Sequence, residues 1–346
     1  MGILGLTGYA GQELVRRLVR HPQLRLVAAQ SSGRTGAGAR RLGEALPEFA
    51  AGAANAPVDV GLEIVPGAPE AMLAARPDVV FLCVPHEPAL EWVPALLAAP
   101  RPPRVIDLSG AFRFSDAALF EHWYGVPHSA PQLLAEAVYG WPEKNRALLP
   151  AARLVSNPGC YATAANTALW PLAQSGFLGA GAVICDAKSG ASGAGRALRD
   201  DLHFVELAGN CSAYGLFQHR HTPEIAHHSG LPLARLTFTP HLLPASRGIL
   251  ATTYVPLAPG VTAEQVTESY RQAYAEAWFT RVTGPRLPAL HGVAHTNYCD
   301  VGWKIAPDGR QLIAVTALDN LVKGAAGQAL ENCNLMFGFS PAAGLL

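Results

Sequence analysis

Two short stretches hold the side chains of this chain that are suited to bond-making chemistry. The first is SNPGCYATAANTALWPLAQS, residues 156–175, with Cys160 near its start. Pro158 and Gly159 make a tight turn ahead of Ala162, Ala165, Leu169 and Leu172, which recur at helical spacing, so Cys160 is expected at a helix N-terminus. Unpaired backbone N–H groups and the positive end of the helix dipole there favour thiolate over thiol, and a thiolate is a nucleophile. A lone cysteine is more often a buried structural residue. The Asn157-Pro158-Gly159 turn directly before it shifts the reading toward chemistry. The second stretch is Gln218-His219-Arg220-His221-Thr222-Pro223-Glu224-Ile225. A thiol nucleophile needs a nearby base and a later proton donor titrating near neutrality, and imidazole is the side chain that suits. Glu224 is the residue to orient that imidazole, while spacing alone does not separate His219 from His221. His-x-His also suits a metal, but no third ligand stands at convincing spacing, so no metal is expected. His227 and His228 read as solvated residues at a helix end.

These groups need elements to hold them. At the start of the chain, MGIL reads as a strand and GLTGYAG as a turn, and the following helix carries Leu14, Val15, Leu18 and Val19 on one face. Gly5, Gly8 and Gly11, with Thr7, Tyr9 and Ala10 between them, form a variant of the dinucleotide fingerprint. In it glycines permit a sharp turn and close approach of backbone to a pyrophosphate at the helix N-terminus. A second strand, residues 24–29, leads to Ser31, Ser32 and Arg34, where an NAD site would carry a carboxylate for the ribose. Hydroxyls and a guanidinium in its place suit a 2′-phosphate, which points to NADP. Residues 35–70 show weak periodicity. Apolar runs at 79–84 and 105–108 read as buried parallel strands, and His86, Ser109 and Arg113 follow their carboxyl ends, where an open α/β sheet binds its ligand. Arg113 ranks first among them, because an anionic substrate needs a fixed cation with parallel donors.

Beyond the Cys160 helix, a strand at 182–187 runs into KSGASGAGR. Ser189, Gly190, Ser192 and Gly193 there form a second loop able to approach a ligand closely, with Lys188, Arg196 and Arg199 nearby to face phosphate. Residues 236–239, 248–255, 297–303 and 311–318 read as longer strands in antiparallel arrangement. Residues 262–277 read as a helix covering them through Val266, Tyr270 and Tyr274, and residues 321–337 as a last helix whose small residues 324–327 allow close packing. The expected fold is α/β: a Rossmann-type doubly wound parallel sheet over 1–155, followed by an α+β domain with a mostly antiparallel sheet over 156–319.

Composition is consistent with this. The chain has 346 residues, enough for two domains, half of them hydrophobic and 15% charged. With 26 basic and 26 acidic residues it has no global electrostatic reason to bind nucleic acid or an anionic membrane, so a small molecule is the expected partner. The six cysteines contain no C-x-x-C pair, no apolar run reaches the length of a membrane span, and the start lacks a signal-peptide pattern. A soluble cytoplasmic protein, forming a homo-oligomer of two or four chains, is expected.

SNPGCYAT, DAKSGASGAGR, HRHTPEIAHHSG, FTPHLLPASRGILATTYV, NYCDVG and ALDNLVKGAAGQALENCNLMFG, with GLTGYAGQELVRRL at the start, resemble the N-acetyl-γ-glutamyl-phosphate reductases, and the match covers essentially the whole chain. The resemblance implies NADPH-dependent reduction of an acyl phosphate to an aldehyde in arginine biosynthesis, on an architecture related to aspartate-semialdehyde dehydrogenase. It implies Cys160 as the thiol that forms a thioester and His219 as general acid/base. It further implies His221, Asn157, Glu224, Arg113 and Arg196 around the substrate, Ser189 to Arg196 near nicotinamide and phosphate, and Asn320 approaching nicotinamide; by the same resemblance 320–346 returns to join 1–155 in the NADP-binding domain, and 156–319 is the catalytic and oligomerisation domain. GAFRF lacks the Asp that the family pattern leads one to expect before its first Phe. Three other readings are open to the same residues. One is a reductase of the same chemistry whose substrate is carried by an acidic amino-group carrier protein. Another is a cysteine acyl-transfer or hydrolytic enzyme without hydride transfer, and the third a non-catalytic nucleotide-binding paralogue, which the presence of both Cys160 and His219 disfavours.

Overall fold

The computed structural model describes residues 1–31, 40–49 and 58–346. The chain divides into two compact units, Met1–Pro158 with Ala325–Leu346, and Gly159–Gly324. Each has its own core.

The first unit is built on eight strands: β1 (Gly2–Leu4), β2 (Ala28–Ser31), β3 (Arg40–Arg41), β4 (Glu63–Pro66), β5 (Val79–Leu82), β6 (Arg104–Asp107), β7 (Val138–Tyr139) and β8 (Leu154–Ser156). They lie in the order β3-β4-β2-β1-β5-β6-β8-β7, parallel throughout except for β3 on β4. The strand order reverses between β1 and β5, which is the switch point where a doubly wound sheet opens a crevice at its carboxyl edge. The apolar runs behind β1 and β5 are fully buried, as expected of strands covered on both faces. Strand β2 starts later than its apolar pattern suggests: Val27 donates to the Met1 carbonyl, but ladder pairing begins only at Ala28.

The second unit contains β9 (Val183–Gly190), β10 (Ser212–Ala213), β11 (Leu236–Leu243), β12 (Ile249–Pro256), β13 (Thr280–Gly284), β14 (Cys299–Ile305) and β15 (Gln311–Leu318), ordered β10-β11-β9-β12-β15-β14-β13. This sheet is mixed, with β11 parallel to β9 and β13 parallel to β14, and its other pairings antiparallel. Strict alternation of buried and less buried residues along β11 and β12 gives it one covered face. The helix Cys160–Gln174 covers that face. Its Ala162, Ala164, Ala165, Ala168, Leu169 and Leu172 are fully buried in one core with Val183, Ile249 and Leu312. The helix Ala263–Ala273, started by a reciprocal Thr262/Gln265 capping box, closes over it. Tyr270 and Tyr274 donate their hydroxyls to the carbonyls of Ala168 and Thr167, so even the polar ends of these buried rings are satisfied.

The segment read as one last helix over 321–337 is two pieces. A π-helical turn spans Val322–Ala326, and the α-helix runs from Gly327 to Met336. His228 is buried rather than solvated, whereas His227 is exposed. A pattern of alternating polarity on a nine-residue helix does not reveal which side the rest of the unit covers.

Candidate active site

Cys160 is the first residue of its helix, and Gly159 before it has an extended backbone (φ −71°, ψ 147°) with no side-chain cap. The turn ahead of the helix therefore leaves the sulfur at the positive end of the dipole. Three neighbours fix that end of the helix. The fully buried Glu224 carboxylate accepts the Gly159 N–H at 2.8 Å. A Cβ built on Gly159 would stand 2.3 Å from Nε2 of His221, so glycine here is what lets the imidazole lie over the backbone just before the nucleophile. On another side, a Cβ on Gly324 would stand 2.7 Å from Cβ of Cys160, so the π-helical turn packs its glycine directly against the cysteine.

His219 and His221 lie together, with ring centroids 4.9 Å apart. The His221 backbone N–H donates to Nδ1 of His219 at 3.2 Å. A neutral His219 ring that accepts at Nδ1 carries its proton on Nε2, the nitrogen left to exchange protons with a ligand. The edges of Tyr161, Tyr214 and Phe238 surround this ring at centroid distances of 5.6, 5.6 and 5.3 Å. Burial in this box pushes the His219 pKa down to about 3, with the neighbouring His221 and Arg220 adding to the effect and Glu224 opposing it. The tyrosines follow the same rule with opposite sign. Burial, foremost, raises Tyr161 well above the ordinary phenol range and pushes Tyr214 up to about 12, and the nearby Cys160 adds to both. Cys185 and Cys333 are buried thiols pushed up to about 12 by desolvation, which removes them as rival nucleophiles at neutral pH.

Two glycine loops complete the candidate machinery, one in each unit. After β1, Gly5 has φ +83° and a Cβ there would strike the Cys83 carbonyl, while a Cβ on Gly11 would strike the Gly5 carbonyl and Leu6 Cα. Gly8 differs. It precedes the helix Tyr9–Leu18 without any side-chain cap, and a Cβ on it would meet only the Gly5 carbonyl oxygen, at 3.4 Å. The backbone N–H groups of Tyr9 and Ala10 thus open on space that a side chain at position 8 would fill, the cradle a pyrophosphate needs. Among the described residues, the end of β2 has no carboxylate beyond Gln30 and Ser31; Ser32 and Arg34 lie outside the described residues. In the second unit, β9 ends in Ser189 and Gly190, and Gly190 fits so closely under residues 245–247 that any Cβ would strike backbone. Asn320 holds this loop: its amide donates to Ser192 Oγ and accepts the Gly248 N–H.

The other expected site residues are placed differently. Cys160, His219, His221 and Glu224 come together, whereas Arg113 and Asn157 belong to the first unit. Buried Arg113 donates to the carbonyls of Leu108 and Asn157, and the Asn157 side chain donates to the Ala325 carbonyl and accepts from Asn332. Both hold the strand ends after β6 and β8. His86 packs its ring on Tyr124 and Phe120, and Ser109 donates its backbone N–H and hydroxyl to Asp107. Arg196 and Arg199 are exposed, and Arg199 pairs with Asp201. Lys188 pairs with Asp186, which also meets His241. The sequence singles out neither Tyr161 nor Tyr214, and marks Gly324 only as a small residue for close packing. An aromatic residue directly after the cysteine and another five positions before His219 were the available signals.

Known proteins resemble the chain over nearly all of its length. Residues 1–152 match the model described as "Semialdehyde dehydrogenase, NAD binding domain", and residues 160–320 the one described as "Semialdehyde dehydrogenase, dimerisation domain". The chain is 44% identical to the N-acetyl-gamma-glutamyl-phosphate reductase of Symbiobacterium thermophilum, over 100% of this chain and 97% of that protein. It is also 44% identical to the protein of the same name from Halorhodospira halophila, with the same coverage. Among solved structures, aspartate semialdehyde dehydrogenase II complexed with ASA from Vibrio cholerae superposes with a TM-score of 0.70 at 16% identity, covering 97% of each chain. Aspartate semialdehyde dehydrogenase with NADP from Candida albicans does so with a TM-score of 0.67 at 15% identity, again covering 97% of each chain.

Proposed function

The chain belongs to the N-acetyl-gamma-glutamyl-phosphate reductase family of the semialdehyde dehydrogenases, and from that premise we propose that it reduces N-acetyl-γ-glutamyl phosphate to N-acetylglutamate 5-semialdehyde, releasing phosphate, with NADPH as reductant. The observation that carries the reading is Cys160 at an uncapped helix start, with His221 over Gly159 and His219 beside His221. In this mechanism the Cys160 sulfur attacks the acyl carbon and the C–O bond to phosphate breaks, leaving a thioester. The cofactor, when bound, supplies the hydride that such a carbon accepts more readily than a carboxylate would. The thiohemiacetal oxyanion is then held by donors at the helix start and by a hydrogen bond from Nε2–H of His219, and its electron pair re-forms the carbonyl as the C–S bond breaks and the Cys160 thiolate is returned. The proton consumed overall leaves with phosphate.

The Gly5–Gly11 loop and the N–H groups of Tyr9 and Ala10 would hold the cofactor pyrophosphate, and Ser31, Ser32 and Arg34 its ribose phosphate. Ser189, Gly190, Ser192 and Gly193, positioned by Asn320, would approach the nicotinamide end, with Arg196 facing phosphate. The related proteins are named for the N-acetylated substrate, which favours it over a carrier-linked one. We extend the proposal to a homo-oligomer in the cytoplasm. Leu198 is 96% exposed, and Phe204, Val205 and Phe217 are nearly as bare, an apolar excursion that a second copy would cover. Six free cysteines suit a reducing compartment. Among the described residues no helix is long and apolar enough to cross a membrane.

The test runs the reaction backwards. With N-acetylglutamate semialdehyde, phosphate and NADP, the protein should generate the absorbance of reduced nicotinamide, and Cys160→Ser should abolish nearly all of it. A folded protein producing none with this substrate would refute the reaction, and a monomeric mass by light scattering would refute the assembly.

A further inference from the structure

The backbone between residues 196 and 218 leaves the body of the second unit and returns through a turn that ends at His219. Along it β10 pairs with β11, aligning Ala213 with His241, and Tyr214 donates its N–H to the Pro240 carbonyl. From there the Tyr214 hydroxyl donates to the Tyr161 hydroxyl at 3.1 Å, which in turn donates to the His241 carbonyl at 3.1 Å. The next residues fold tightly: Gly215 has φ +57°, Gln218 donates to the Gly215 carbonyl, and Phe217 adopts φ +60°, a conformation a bulky side chain rarely takes. A Cβ on Gly215 would touch the His219 side chain at 3.5 Å. Backbone held in such a state persists only where its surroundings over-determine it, and such positions concentrate at functional sites. Here the surroundings are the two linked tyrosines, and what the turn delivers is the imidazole.

We propose that Tyr161 and Tyr214 are positioning residues for His219: their linked hydroxyls anchor the Gly215–His219 turn, and their ring edges enclose the imidazole beside Cys160. This rests on the Cys160–His219 reading of the site. The groups around the imidazole are Cys160 and Tyr161 from the nucleophile helix, Tyr214 from the turn, Phe238 from β11, and Arg220, His221 and Glu224 from its own segment. Of these, Tyr161, Tyr214 and Phe238 enclose it with their aromatic ring edges. His219 is half-buried and Tyr214 is 38% exposed, so removing the Tyr214 ring opens the imidazole further to water and frees the turn. Removing only the hydroxyl leaves the box and cuts the anchor.

The experiment follows the His219 imidazole proton resonance against pH, assigned with His219→Gln, in the full-length protein and in Tyr214→Phe, Tyr214→Ala and Tyr161→Phe. In the unmodified protein His219 should not titrate between pH 5 and 8. In Tyr214→Ala a titration should appear in that window, with kcat of the reverse reaction down by about 10²-fold. Tyr214→Phe should keep the flat titration and lose about 2- to 10-fold in kcat at unchanged KM, the scale of one hydrogen bond. Tyr161→Phe should lose as much. A Tyr214→Ala protein that folds, titrates as the original does and keeps its kcat overturns the proposal. So does a rise in KM alone across the variants, which would make Tyr214 a substrate contact. The titration needs no substrate, so it decides the positioning role even where the proposed reaction itself is absent. Tyr214→Phe, nearly isosteric, keeps the test alive if the alanine variant does not fold.

Discussion

Gly159→Ala puts the geometry before the nucleophile under direct stress. The backbone at Gly159, φ −71° and ψ 147°, is one alanine adopts freely, so the substitution stores no dihedral strain. What it adds is a methyl group 2.3 Å from His221 Nε2 and 2.7 Å from both ring carbons beside it, where ordinary contact begins near 3.4 Å. The imidazole must retreat by about 1 Å, and a misplacement of about 1 Å in catalytic geometry costs about 10²-fold in rate. The loss of an acceptable N-cap residue costs about 1 kcal/mol of stability, too little to unfold a domain. The reverse assay should therefore show kcat/KM lower by about 10²-fold, with a thermal transition only a few degrees lower. A double-mutant cycle isolates the cause: in a His221→Asn background the smaller side chain leaves room, so adding Gly159→Ala should cost little more. A full additive loss in the cycle, or an activity within twofold of the starting protein, would refute the claim that His221 lies over this turn for a reason.

Gly8→Ala should lower the melting temperature by no more than the few degrees its N-cap position costs, since its Cβ meets only one oxygen at ordinary distance, yet weaken NADPH binding by about tenfold, roughly 1.4 kcal/mol. Fluorescence titration of NADPH measures it, and unchanged affinity would remove the cradle from the cofactor site. Asp107, fully buried, has its pKa pushed up to about 6 by desolvation, against the hydrogen bonds from Ser109 and the charge of Arg113. A carboxyl raised in the folded state contributes stability that is complete below its unfolded pKa near 4 and is lost as pH rises through about 6. Urea unfolding should find up to about 3 kcal/mol of such loss between pH 4 and 7, absent in Asp107→Asn; an identical slope in both proteins would refute it.

The parts of this molecule that could be read from the chain are those set by neighbouring residues. The φ +83° at Gly5 and the helix start at Cys160 follow from Gly and Pro-Gly placed beside periodic apolar residues. The buried runs of β5 and β6, and the alternating β11 and β12, announce their sheets through composition alone. What escaped depends on distant partners. The two-residue strands β7 and β10 have too little pattern to detect, and β13 joins β14 in parallel as the edge strand of the sheet, a pairing that no local pattern announces. The π-helical turn at Val322–Ala326 is invisible in a row of small residues, because one residue too many per turn leaves no mark on periodicity.

The site follows the same division, and that explains why Arg113 and Asn157 were read as substrate contacts. Both are polar residues at strand ends in the crevice-forming edge of an α/β sheet, and local sequence cannot tell a residue that faces a ligand from one that faces backbone. The structure commits the Arg113 guanidinium to two carbonyls and the Asn157 amide to Ala325 and Asn332, bonds spanning up to 175 positions of sequence. Those bonds fix the strand from which Pro158 and Gly159 lead to Cys160. A carbonyl-bound guanidinium gives up two of its five donors to the protein, whereas the helix start at Cys160 in the second unit offers its donors from the backbone, which no rotamer has to bring into place.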